Sequence, residues 1–253
     1  MIPGDKTRRV MLVGLRTLPG RYSLRLPGAC IVAKMSEKAA VKARGVPQPT
    51  QDEERRLHAA GFARVAGIDE VGRGPIAGPV VAAAVVLPNL DGFTHDDLAL
   101  IRDSKTLTGN QLRRADALVR QVSLGFGIGE SSSEEIDRLG IAPATRQAMR
   151  RALDQIAEPP SHLLIDAFPL DWRLVACTPI IKGDALCTAI AAASVIAKVY
   201  RDAIMERLDE EYPGYGLAGH KGYASAIHLA VVGELGPSPI HRKSFSPFKP
   251  ILF

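Results

Sequence analysis

Ala63-Arg-Val-Ala-Gly-Ile-Asp69 is followed at once by Glu70-Val-Gly-Arg-Gly-Pro75. The first seven residues read as a buried β-strand ending in an acid, and the glycine–proline run after them as a loop. Pro79–Leu87 supplies a second apolar strand, and Ser123–Gly129 alternates as a third. His162–Ile165 is a short strand ending at Asp166, and Leu174–Ile181 is another. Ser131-Ser-Ser-Glu-Glu135 offers helix caps, and Ala142–Ile156 carries an apolar face at Ala144, Ala148, Met149, Ala152, Leu153 and Ile156. Ala185–Leu208 reads as one alanine-rich helix and Ala224–Gly233 as a last helix with a glycine stop. Strands that cluster first and then alternate with helices predict an α/β fold, a mixed sheet covered by helices.

The chain has 253 residues, 46% hydrophobic and 23% charged, which excludes a disordered or collagen-like protein. Cys30, Cys177 and Cys187 form no CxxC pair and are odd in number, so a reducing, cytoplasmic setting without structural zinc is expected. The longest apolar stretch, Ile76–Leu87, falls short of the roughly 20 residues a membrane span needs. No membrane association is expected.

Charge is uneven. Residues 1–48 hold ten Lys/Arg against Asp5 and Glu37, a net +8, so the total of +5 leaves 5 − 8 = −3 for the other 205 residues. This segment lacks a sustained period of 2 or 3.6 and reads as a basic, disordered extension outside the domain that begins at residue 49. Three readings of it compete: an arm that touches phosphates, a targeting peptide, or a mis-called start with Met35 as the true one. The third is preferred. Pro47–Asp52 reads as a linker into a helix, with Thr50 or Asp52 as cap and Glu53 and Glu54 in its first turn.

The chemistry lies in carboxylates at strand ends. Asp69 and Glu70 follow the first strand, Asp166 ends the fourth, and Asp184 stands in Lys182-Gly-Asp184 before the long helix. Any one of these acids alone reads more readily as a cap or a surface charge than as a ligand. An acid abutting an apolar strand is costly to bury unless it is paired or binds a metal, and four together predict convergence on one edge of the sheet. Clustered carboxylates raise each other's pKa and suit a divalent cation; oxygen ligands without His or Cys point to Mg²⁺ or Mn²⁺. Neighbouring strand residues face opposite ways, so Asp69 and Glu70 can share a site only where the strand ends. The glycines of Gly72-Arg73-Gly74 allow the backbone close to a ligand, and the arginine between them suits a phosphate. Backbone groups at a sugar can read a 2′-hydroxyl, which separates RNA from DNA.

Gly67 to Val80 (GIDEVGRGPIAGPV) resembles the signature of the ribonuclease HII family. Further matches follow in order: Asp103-Ser-Lys-Thr-Leu107; Glu135–Ile141 with Ala144–Met149; Ile165-Asp166; Lys182-Gly-Asp184 through Asp202; His220-Lys-Gly-Tyr223; and Ser238–Phe245, the last like the bacterial type. The resemblance covers about residues 50–248. It implies an RNase H-like mixed sheet flanked by helices with a C-terminal helical extension. It also implies a metal-dependent endoribonuclease, acting by two metal ions on RNA/DNA hybrids and on single ribonucleotides within duplex DNA. Cleavage would fall 5′ to the ribonucleotide and leave 3′-hydroxyl and 5′-phosphate ends. The four catalytic, metal-holding acids of the family map onto Asp69, Glu70, Asp166 and Asp184. Its GRG element maps onto Gly72, Arg73 and Gly74, and its junction-reading tyrosine onto Tyr223. The sister ribonuclease HIII family lacks the GRG element and carries a large N-terminal domain, so Arg73 and the short extension argue against it. Val71 and Ile76 depart mildly from the family pattern and carry no polar group. A monomer is expected.

Lys105, Lys182, Lys198, Lys221 and Arg242 are candidate phosphate contacts by their motif settings. Ser194 reads as small-residue packing, Asp202 as structural, and His220 and His241 as loop hydrogen bonders. A nucleic-acid-binding module without catalysis would need one of the four acids replaced, and none is. A DNA-directed nuclease on the same fold would not account for the GRG–tyrosine combination.

Overall fold

The computed structural model describes residues 48–248 apart from Gly92; the expectations for the basic segment and Met35 lie outside them. Helix α1 (Asp52–Ala59) leads into β1 (Val65–Val71) and β2 (Val80–Val86), an antiparallel pair with Ile68 opposite Ala84 and Glu70 opposite Ala82. A single helical turn, α2 (His95–Leu98), precedes α3 (Gly109–Val122) and the edge strand β3 (Gly125–Ser131), antiparallel to β2. Helices α4 (Ser133–Leu139) and α5 (Ile141–Asp154) follow, then β4 (His162–Asp166) and β5 (Ala176–Ile180), both parallel to β1. The one-turn α6 (Gly183–Leu186) opens onto α7 (Thr188–Glu211), and α8 (Leu217–His220) and α9 (Ala226–Leu235) complete the order. The sheet runs β3-β2-β1-β4-β5, the mixed, helix-flanked arrangement expected.

The layers follow from strand period 2. Val65, Val81, Ala83, Val85 and Leu164 face α7, against Ala189, Ile190, Ala193 and Ile196. Ala66, Ile68, Val80, Ala82, Val86, Leu163 and Ile165 face α5, against Ala144, Ala148, Met149, Ala152 and Leu153. Gly67 sets the first contact: a β-carbon there would collide with the backbone of Ala189 and Ile190, so the helix rests directly on the strand. A third cluster, Ala77, Met205, Tyr215, Leu217 and Val232, joins the C-terminal helices to α7 and to the loop after β1. No described helix is long and apolar enough to cross a membrane.

Several boundaries differ from the sequence reading. β1 continues through Asp69 and Glu70 to Val71, because β2 pairs with it past the point where β4 ends. β3 is displaced by two residues, whereas the expected cap run holds, Ser132 capping α4 in a box with Glu135. Gln51 occupies the α1 cap position without a capping side-chain bond, its amide donating to Pro88 O and accepting from the Leu90 N–H; the Thr50 hydroxyl donates to Asp52 Oδ2 at 2.8 Å. The alanine-rich stretch is broken at Cys187, in extended conformation, so Asp184 lies in the separate turn α6. Gly236, with φ of 75°, terminates α9, while Gly233 stays inside it.

Candidate active site

Register brings the first two acids together. Ile68 pairs with Ile165, so Asp69 and Asp166 are the next residues along two parallel strands, on the face turned to α7. Glu70 starts from the opposite face. β4 stops at Asp166, however, so past that point no strand separates the faces on this side. The Glu70 and Asp166 charges reach each other, and both reach Asp69. Asp184, buried in the first turn of α6, meets Asp166 electrostatically, and the Gly183 N–H donates to Asp166 Oδ1 at 2.8 Å.

Burial, then the charge of Glu70, holds the Asp69 carboxyl well above the ordinary carboxylate range; the Ser194 hydroxyl opposes this. Burial also raises Glu70 and Asp166, against Arg73 in one case and the Gly183 amide in the other. Protein cations partly balance the set. Arg73 Nη1 donates to Glu70 Oε1 at 3.0 Å, with its guanidinium 5.2 Å from the Phe168 ring centre. Lys105 Nζ lies 3.2 Å from Asp184 Oδ2. Among the described residues no three His, Cys, Asp or Glu side chains form a ready metal cage. Glu70 Oε2, though, is buried without a hydrogen-bond partner, and the donors at this edge are all oxygens. An orphaned carboxylate oxygen among mutually repelling acids fits a hard divalent cation.

Beside the acids, Gly72 has φ of +90° and begins the loop to β2. The half-exposed Tyr223 ring reaches this loop: its Cε1 is 3.7 Å from where a Gly74 β-carbon would stand.

Residues 66–247 match the family described as Ribonuclease HII. The chain belongs to the ribonuclease HII family. These are metal-dependent endonucleases that degrade RNA in RNA/DNA hybrids. A ribonuclease HII of Dehalococcoides mccartyi is 45% identical over 202 residues, covering 79% of this chain and 94% of the relative. Among solved structures, the ribonuclease H2 of Pyrococcus horikoshii OT3 superposes with a TM-score of 0.62 at 25% identity, over 74% of this chain and 95% of that one. Bst-RNase HIII in complex with Mn²⁺ superposes at 0.57 with 19% identity, over 87% and 75%.

Within this ribonuclease HII frame the other expected contacts separate. Lys182 is exposed in left-handed conformation at the start of α6. Lys198 is paired with Asp202 at 2.7 Å, and Lys221 with Glu206 at 2.8 Å. Arg242 is no surface phosphate contact: it is fully buried, and all its bonds go to main-chain carbonyls. Ser194 does more than pack. It is buried beside Asp69 and bonded to Ser104 Oγ at 3.0 Å. Both serines sit in the quoted motifs, yet a serine in an alanine-rich helix gives no sign of what it faces. His220 bonds within its loop as expected, and it also stacks on His228, which in turn meets His241.

Proposed function

We propose that this chain hydrolyses the RNA strand of RNA/DNA hybrids and also cuts 5′ to single ribonucleotides embedded in duplex DNA, leaving 3′-hydroxyl and 5′-phosphate ends. One juxtaposition carries the finer part of the reading: the Tyr223 ring stands against Gly74, in the loop that leaves Asp69 and Glu70. Glycine backbone admits a sugar closely enough for amides to meet a 2′-hydroxyl. A phenol ring beside it stacks on the adjoining deoxyribose or base. Two such readers side by side favour a ribo-to-deoxyribo step.

Asp69, Glu70, Asp166 and Asp184 would hold Mg²⁺ or Mn²⁺, and a pair of such ions supplies an activated water and stabilises the leaving oxygen of a phosphodiester. The chain's own residues set the rest. Asp69 and Asp166 are held in register by the β1–β4 pairing, and Ser104 and Ser194 hold the floor beneath Asp69. Arg73 and Lys105, now on Glu70 and Asp184, are placed to turn to substrate phosphates as those acids take up a cation. We place the protein in the cytoplasm, acting as a monomer on such duplexes.

The test is a DNA duplex carrying one ribonucleotide, beside an RNA/DNA hybrid and an all-DNA control, with Mg²⁺ or Mn²⁺ and end-group analysis. Cutting at the ribonucleotide and in the hybrid, with the control intact, is expected. Equal cutting of the all-DNA duplex sinks the reading.

A further inference from the structure

Arg201 and Arg242 are the largest fully buried side chains of the described residues, and neither has a carboxylate at ion-pair distance among them. A guanidinium in an apolar interior is costly unless its donors are met. Here main-chain carbonyls meet them. Arg242 Nε donates to Gly78 O at 2.9 Å, Nη1 to Arg73 O at 3.0 Å and Pro75 O at 2.6 Å, and Nη2 to Gly72 O at 2.6 Å and Gly78 O at 2.8 Å. Arg201 donates to Pro79 O at 3.0 Å, to Ala77 O at 3.3 Å and, across a gap in sequence, to Lys221 O at 3.0 Å. The two cations therefore hold the inner side of the loop 72–79 and fasten the tyrosine loop to it.

This has a stereochemical result. In a trans peptide the C=O and the next residue's N–H point opposite ways. With Gly72 O and Arg73 O turned inward to Arg242, the N–H groups of Arg73 and Gly74 are turned outward. Neither meets an acceptor among the described residues. The Ile76 N–H, on the same peptide as the inward Pro75 O, is taken by Gly222 O at 2.9 Å, next to Tyr223. Gly72 is required from below as well as above: a β-carbon there would collide with Arg201 Nε and stand 2.8 Å from Pro79 O. Consecutive outward amides over buried positive charge form a concavity for an anion or hydroxyl.

We infer that Arg201 and Arg242 are positioning residues for ribonucleotide recognition, turning the carbonyls of the loop 72–79 inward so that the Arg73 and Gly74 amides present to the sugar–phosphate beside Tyr223. The inference rests on the reading of Gly72–Gly74 proposed above, and the experiment separates the two. The affinity ratio between a duplex with one ribonucleotide and the same duplex in all-DNA form is measured without divalent cation. It is compared for the wild type, Gly74→Ala and Arg242→Ala, alongside kcat and KM with Mg²⁺. Arg242→Ala is expected to lose at least about fivefold of the ratio, approaching Gly74→Ala. Low-millimolar guanidinium should restore it in Arg242→Ala alone, while methylammonium, a cation without the planar fork, should not. If Gly74→Ala keeps the ratio, the reading of the loop fails. If Gly74→Ala loses it while folded Arg242→Ala keeps it, or loses it without recovery in guanidinium, the positioning role fails alone. Should Arg242→Ala not fold, Arg201→Lys decides: it keeps the charge but not the fork, and an unchanged ratio there overturns the inference.

Discussion

At the scale of single residues, the acids are arranged against stability. Asp69 is buried beside Glu70 and Asp166, and its carboxyl is held well above the ordinary range by burial first and Glu70 second. A carboxyl raised on folding destabilises the native state at neutral pH, and that penalty fades as pH falls toward the ordinary carboxylate range. Asp69→Asn is therefore expected to raise the melting temperature of the metal-free protein, by about 2–4 °C for each kcal/mol relieved. The same change should cut turnover by at least about a thousandfold, roughly 4 kcal/mol, while duplex affinity stays near wild type. Calorimetry and single-turnover kinetics check both, and a lower melting temperature would count against the charge argument. For Tyr223→Ala, stacking of about 1–3 kcal/mol per base implies a loss of roughly five- to 150-fold on single-ribonucleotide duplexes, with a smaller loss on long hybrids. An equal loss on both would remove its assigned role. Asp69, Glu70 and Asp166 were legible because an acid next to an apolar strand needs a reason. Ser194 and Arg242 were not, since nothing local tells a buried serine from a packed one, or a buried arginine from a surface one.

At the scale of elements, boundaries were set by partners distant in sequence. Glu54 reads as a first-turn acid of α1, yet it is buried and accepts from the Ala189 N–H at 2.8 Å, capping α7, whose own cap residue Cys187 contributes no side-chain capping bond. Glu54→Ala should cost about 1–2 kcal/mol, measured by denaturant unfolding; a loss below a few tenths would show that α7 needs no such cap. The apolar face of α5 was readable from period 3.6 alone, whereas the end of β1 was not, because β2 and not β4 extends it. The histidines around α9 make an ordered chain. The Ser238 N–H donates to His241 Nδ1 at 3.0 Å, which leaves His241 Nε2 to donate to His228 Nε2 at 3.1 Å and His228 Nδ1 to donate to Tyr223 O at 2.8 Å. Burial, then the His228 charge, lowers His241 to about 4. A base depressed on folding contributes stability that is full above its unfolded pKa of 6.5 and is lost as pH falls toward about 4. His241→Gln should flatten the melting temperature between those limits, and an unchanged slope there would contradict the assignment.

At the scale of the whole molecule, charge and chemistry are divided. All the residues proposed to meet metal or substrate directly lie between 69 and 223, within residues 49–253, whose net charge is −3, while residues 1–48 carry +8. Deleting residues 1–48 should leave kcat within about twofold, but weaken non-specific duplex binding and make its logarithm fall less steeply with salt. Filter binding across a salt series checks this, and a collapse of kcat would mean that the segment belongs to the site. The three-layer order followed from pattern, but the tightness between layers did not. Gly67, Gly127 and Gly129 each leave room for a helix backbone that a methyl group would strike, at Ala189, Ala152 and Ala148 respectively. These positions are spacers. In a library randomised at all three, survivors should be almost wholly glycine, and the rare exceptions should carry a second change in the facing helix, so that the thickness of the molecule is inherited through three missing side chains.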